Sequence, residues 1–253
     1  GNPIIKGLNV SVPSTNNLGC KNSVNSMTLE WRNRNNPAQT GVVSMNQIGT
    51  NFNATIPFNE PGEVVQYRIL AEFSSGDVTS KPKNIADPWY ETFIGIIETI
   101  SCTDFETDPM LLGWTHELTA GTNQLEADDW EDGTPFGNSN NGDPTEAYSG
   151  VNVFGNDLGI LQNSNGLYQP NITNEARSPV YDVSGYEHIR LQYQRWLNVE
   201  DGLYDKATIY ANDVSVWSNL TSSGTIQHQD QEWRFHDIDL TSEVANNEIQ
   251  LRF

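Results

Sequence analysis

Basic residues are scarce in this 253-residue chain: 13 Lys and Arg stand against 33 Asp and Glu, a formal net charge of −20. That balance excludes nucleic-acid binding through a basic patch, because phosphate neutralisation requires clustered cations. Cysteine is scarcer still, with only Cys20 and Cys102, too few for a disulfide scaffold or a cysteine metal cluster. The two either pair, closing a loop worth about 4 kcal/mol of chain entropy, or stay apart as buried thiols. No run approaches the ~18 apolar residues of a membrane span, and no basic, apolar leader opens the chain, so no membrane insertion is expected. Sustained helical periodicity is also missing, as are the P-loop, GxSxG, CxxC and HExxH patterns. None of the four histidines (His116, His188, His228, His236) has a second at metal-ligand spacing, which leaves no zinc peptidase centre and no framed serine nucleophile.

What the chain has instead is turn chemistry. Twenty Gly, 12 Pro and 29 Asn accompany a charged fraction of only 18%, residues that favour turns over helix interiors. The expected class is all-β. Asparagine, serine and threonine are so frequent that the glycosylation-type triplets at Asn9, Asn53, Asn171 and Asn219 arise readily by chance.

Alternation of apolar and polar residues marks the first strands. Met27, Leu29 and Trp31 recur with period two, as do Val65, Tyr67, Ile69, Ala71 and Phe73, the signature of half-buried strands. Turn signals separate them at Asn35-Asn36-Pro37 and Asn59-Glu60-Pro61-Gly62, and Ser74-Ser75-Gly76-Asp77 closes a late hairpin. This layout resembles a fibronectin type III or other immunoglobulin-like sandwich, and the resemblance implies a β-sandwich over residues 1–95.

Beyond a Pro-bearing stretch from Lys81 to Pro88 the composition turns acidic. Residues 1–100 hold seven basic and eight acidic side chains, whereas Asp104 to Glu175 holds thirteen carboxylates and no Lys or Arg. Such a stretch repels itself unless its carboxylates are spread over solvated loops or hold a cation. Strands are expected around Ile189 to Tyr193, Thr208 to Asn212, Ile238 to Leu240 and Ile249 to Phe253.

Cys102-Thr103-Asp104-Phe105-Glu106, Gly113-Trp114, Asp128-Asp129-Trp130, Gly142-Asp143-Pro144 and Ser178-Pro179-Val180-Tyr181 follow one another in an order that resembles a MAM domain. Gly133-Thr134-Pro135, Val153-Phe154-Gly155-Asn156-Asp157-Leu158 and Trp196-Leu197-Asn198-Val199-Glu200-Asp201-Gly202 look like the MAM-like jelly rolls of secreted bacterial proteins, notably metallopeptidases of the immune inhibitor A type. The resemblance implies two β-sandwiches in series: residues 1–95, then a jelly roll over 96–253 that stops at Phe253, before the strand carrying the family's Ile-Asp-Asp type motif. It also implies a bond from Cys102 to Cys20, a secreted or cell-surface location, and a non-catalytic accessory role binding extracellular protein or carbohydrate.

Calcium is the cofactor the resemblance implies. Asp104 and Glu106, two apart and so on one face of a strand, with Asp129 and Asp157, are the expected ligands of one ion, carbonyls or water completing six to eight positions. A second acidic group, Glu200, Asp201 and Asp205, reads as a turn around Gly202. The competing reading is a jelly-roll glycoside hydrolase. Glu126, Asp128 and Glu131 have the ExDxxE spacing of a laminarinase-type catalytic strand, although Glu131 is odd by one residue and needs a bulge to join the same face.

Overall fold

A computed structural model describes residues 7–13, 23–58, 60–124, 127–137, 142–159 and 166–253. The chain is all-β and divides into two compact units, Gly1–Ile97 and Glu98–Phe253.

The first unit contains β1 (Leu8–Pro13), β2 (Val24–Asn33), β3 (Thr40–Ser44), β4 (Asn46–Ile48), β5 (Asn51–Ile56), β6 (Glu63–Phe73), β7 (Val78–Lys81) and β8 (Tyr90–Ile94). They form two antiparallel sheets. One has the order β1-β5-β4, the other β3-β2-β6-β7, with β8 pairing along the first half of β6. Strand period decides which side chains enter the core. Met27, Leu29 and Trp31 of β2 and Val65, Ile69 and Ala71 of β6 pack against Val10, Phe52, Ala54 and Ile56 of the facing sheet. This is a β-sandwich. The alternate residues of the same strands face outward, where Arg32 and Arg68 lie on the Trp89 ring at 4.3 and 4.8 Å and Glu30 pairs with Arg68 at 2.6 Å. At the β6–β7 hairpin Phe73 N donates to Asp77 O, and Gly76 takes the positive φ of 86° that the turn needs.

The second unit contains β9 (Thr115–Ala120), β10 (Trp130–Gly133), β11 (Val153–Asn156), β12 (Thr173–Arg177), β13 (Tyr181–Asp182), β14 (Arg190–Arg195), β15 (Asn198–Val199), β16 (Thr208–Ala211), β17 (Val214–Ser218), β18 (His228–Gln229), β19 (Arg234–Asp239), β20 (Glu248–Ile249) and β21 (Leu251–Arg252). Its largest sheet has the order β17-β16-β21-β12-β9. Strand β14 pairs with β19 and its continuation β15 with β18, while β13 pairs with β20 and β10 with β11. Among the described residues, helical structure is confined to two 3₁₀ turns, Pro109–Leu112 and Thr241–Glu243. Val183, Ile189, Ala211, Leu240, Ile249 and Leu251 form the aliphatic core, with Leu191, Ile238 and Phe253 against it. An aromatic cluster adjoins it through Phe253. Trp114 meets Phe105, Phe154 and Phe253 with ring centroids 5.7 to 6.0 Å apart.

One expected strand is absent. Asp104 is irregular and Phe105 to Thr107 form a bend, not the strand that would have placed both carboxylates on one face. Asp104 Oδ1 accepts from Glu106 N at 3.2 Å and Thr103 Oγ1 from Phe105 N at 3.1 Å, local side-chain bonds that compete with a strand ladder. Phe105 accordingly adopts a positive φ of 59° and turns its ring onto Trp114 and Phe154.

Candidate metal centre

The β10–β11 ladder runs from Trp130 opposite Asn156 to Gly133 opposite Val153. One step beyond it, Asp157 N donates to Asp129 O at 2.9 Å. The two aspartates are therefore cross-strand neighbours at the end of a hairpin, each leaving the ladder into the interior. Asp157 leaves through a left-handed residue, φ 45°, a conformation that Asp and Asn tolerate best among side-chain-bearing residues.

Both carboxyls are buried, Asp129 at 2% exposure and Asp157 at 5%. Asp129 Oδ1 accepts from Asn156 Nδ2 and Asn174 Nδ2, each at 2.7 Å. The two amides are tied to each other by Asn156 Nδ2 donating to Asn174 Oδ1 at 2.9 Å, and Asn174 Nδ2 also reaches Ala127 O at 3.1 Å. Asp157 Oδ1 accepts from Gly166 N at 3.2 Å. The second oxygen of each, Oδ2, is buried and meets no donor among the described residues.

Electrostatics follow from this geometry. Burial, and then the charge of Asp157, push the Asp129 carboxyl up to about 6, against the bonds it accepts. Burial also raises Asp157, opposed by backbone amides at Gly166, Gly159 and Leu167, with Asp143 adding repulsion. Asp143 accepts from Asn198 Nδ2 at 3.0 Å, and Asn198 Oδ1 is a further buried oxygen with no donor. Asp129 Oδ2, Asp157 Oδ2 and Asn198 Oδ1 are buried acceptor oxygens of the kind a hard cation such as calcium takes.

The other two expected ligands lie elsewhere. Glu106 Oε1 accepts from Val151 N at 2.6 Å and Asn152 N at 2.7 Å. Asn152 is five residues before Asp157 along extended chain, a span of roughly 16 Å at ~3.3 Å per residue, so Glu106 closes a loop at the far end of β11. Asp104 is occupied with its own turn. No three His, Cys, Asp or Glu side chains among the described residues are grouped to hold one ion; of the four expected ligands the structure brings together Asp129 and Asp157.

Asn174, Asp143 and Asn198 were not singled out as ligands in the sequence. The one signal for Asn174 is its place inside a strand, where Asn is depleted. Of the hydrolase alternative, Glu126 lies outside the described residues. Asp128 is half-exposed and bonded to His116 Nδ1 at 2.8 Å, and Glu131 stands opposite Gly155 in the β10–β11 ladder. Cys102 is an exposed free thiol, and Cys20, its expected partner, lies outside the described residues.

A second polar cluster lies on the inward face of β14 and β19. Asp230 receives Arg195 Nε at 3.0 Å and Arg234 Nη1 at 3.3 Å, with His228 Nε2 at 3.6 Å and Leu197 N at 3.0 Å. Burial opposes its ionisation, but His228 and Arg195 outweigh burial and hold the carboxyl far below the usual range. The Trp217 ring covers Arg195 at 5.0 Å. Cations and carboxylate offset one another, as in a structural ion cluster.

No family model and no curated protein matches the chain. Among solved structures it is similar to the Streptomyces avermitilis α-L-rhamnosidase complexed with L-rhamnose, at 12% sequence identity and a TM-score of 0.22, over 97% of this chain and 19% of that one. The chain spans a minor part of that enzyme's length, and at this TM-score the likeness carries no argument about fold or activity.

Proposed function

We propose that the chain is a non-catalytic extracellular binding region, two β-sandwiches of a larger secreted protein, whose second sandwich is secured by one calcium ion between Asp129 and Asp157. The observation that carries this reading is the pair of buried carboxylates whose Oδ2 atoms meet no donor. Two anions taken out of water side by side are costly unless a cation joins them. A Ca²⁺ would take its first oxygens from this pair. Asn198 Oδ1, backbone carbonyls and water would complete the shell. The MAM-like motif order supports the extracellular accessory role, and both Asp129 and Asp157 lie within those motifs.

The test is direct binding. Chelator-stripped protein titrated with Ca²⁺ in a calorimeter takes up one ion per chain, and Asp157→Asn abolishes the heat while Glu106→Gln leaves it. No saturable uptake by the stripped protein, or uptake lost in Glu106→Gln and kept in Asp157→Asn, would overturn the assignment.

A further inference from the structure

Three chain segments of the second unit meet in a platform whose framework is polar and buried and whose outer surface is apolar. The framework rests on Asp201, which is buried and accepts from the backbone N–H groups of Leu203 (3.0 Å), Ser222 (2.8 Å), Gly224 (3.2 Å) and Ile226 (3.3 Å), and from the Ser222 hydroxyl. Asn219, also buried, donates to Glu200 O at 2.9 Å and Asp205 O at 3.0 Å and accepts from Ala207 N at 3.1 Å. Two fully engaged polar side chains thus clamp the 200–207 turn to the 219–226 loop. The third segment enters through Tyr168, whose hydroxyl donates to Asp205 Oδ2 at 2.9 Å. What this frame presents to solvent is Tyr204 at 64% exposure, Leu203 at 54%, Leu220 and the Tyr168 ring. Gly224 lies against the hydroxyl end of Tyr204, where a Cβ would come within 2.6 Å of the hydroxyl and 2.9 Å of the ring carbons, so only glycine lets the side chain rest there while most of it stays exposed.

Side chains this apolar are not held outward by the folding of the unit itself, since burying them would stabilise it. A rigid frame that presents them loses little entropy when another molecule covers them. The charge around them selects the occupant. With Asp201 buried in the frame, Glu200 and Asp205 stand against Lys206 alone in the segment 198–206, within a chain of net charge −20. We infer that this platform binds a Lys- or Arg-bearing segment of another protein, an apolar anchor covering Leu203, Leu220 and Tyr204 and the cations meeting Glu200, Asp205 and the exposed Tyr204 ring. The inference rests on the reading of the chain as a binding region and narrows its ligand from protein or glycan to basic protein.

The experiment selects binders from a random-peptide display library on the calcium-loaded full chain, then measures affinities of the recovered peptides against variants. Recovered sequences carry Lys or Arg beside an aliphatic or aromatic residue, their affinity falls with added salt, and Tyr204→Ala weakens them roughly tenfold or more, as for a central interface aromatic. Leu203→Ser, at an exposed position that leaves the clamp intact, weakens them too, while Glu117→Gln on exposed β9 does not. The inference is overturned if no basic peptides are recovered, if Tyr204→Ala and Leu203→Ser bind them as well as the parent, or if neutral polysaccharides on a glycan array bind through Tyr204 instead. Calcium uptake in Tyr204→Ala matches the parent, so failure here leaves the metal reading standing, and loss of calcium binding in the parent removes that reading without touching this surface.

Discussion

Asp129→Asn reverses the sign of its effect when calcium is added, and the size of the effect comes from the burial of one carboxyl. In the metal-free protein Asp129 is lifted from 3.8 to about 6 by burial and by Asp157. At 1.36 kcal/mol per tenfold change in proton affinity this is about 3 kcal/mol of resistance to ionisation. A carboxyl raised in the folded state binds its proton more tightly folded than unfolded, so its contribution is full below pH 3.8 and is lost as pH rises to about 6. Metal-free protein therefore loses about 3 kcal/mol from this group between pH 3.8 and 6.5. Asparagine keeps the oxygen that accepts from Asn156 and Asn174 and removes the charge facing Asp157. In EDTA at pH 7.5 the variant should melt higher, by several degrees at roughly 2–4 °C per kcal/mol for a unit of this size, and by much less at pH 4.5. With millimolar Ca²⁺ the order inverts: the parent gains RT ln(1 + [Ca]/Kd), about 2.7 kcal/mol at a hundredfold excess, and the variant gains little. Calorimetric melts at two pH values, with and without calcium, give all eight numbers. A variant less stable than the parent in EDTA at pH 7.5 refutes the repulsion argument, and equal calcium shifts in both proteins refute the site.

Three further outcomes can be read in stability or labelling experiments. Asp230→Asn leaves Arg195 and Arg234 facing no anion at that position and should cost about 3–5 kcal/mol; a denaturant midpoint within error of the parent's would show the cluster contributes nothing. Trp114→Ala empties the contact among Phe105, Phe154 and Phe253 and should cost about 3–5 kcal/mol in the second unit, seen as a lower melting transition, while an unshifted transition would mean the cavity closes. Cys102 is exposed and free, so a thiol reagent should label it under native, non-reducing conditions; a protein that reacts only after reduction would place it in a disulfide.

Where period two meets a sheet with one solvated face, sequence and structure agree. Met27, Leu29 and Trp31 point inward because alternation has no second solution once a sandwich forms, and Glu63–Phe73 is a strand from end to end. The 104–106 segment shows the opposite case. Its alternation of Asp, Phe and Glu fits a strand, but an Asp side chain that bonds its own backbone two residues on makes a turn just as well, and nothing in the local pattern decides between them. The candidate centre was half legible for a related reason. Asp129 and Asp157 stand out in acidic motifs, whereas Asn174 reaches Asp129 from a strand 45 residues later, a proximity only the pairing of distant strands creates. Asp201 was readable as part of a turn, but its role as the acceptor for a loop some twenty residues away was not.

The order of the five-stranded sheet bears on how the second unit comes into being. Strand β21 lies between β16 and β12, so the middle of the sheet is supplied by its latest segment in sequence. β9 and β12 can zip together early, and β16 with β17, yet the two halves have no shared backbone ladder until Leu251 and Arg252 arrive. Contacts of such long sequence separation make folding slow, and during synthesis the halves must wait with open edges. A ribosome-bound chain lacking β21 should be protease-sensitive throughout the second unit while the first, complete by Ile97, is already resistant.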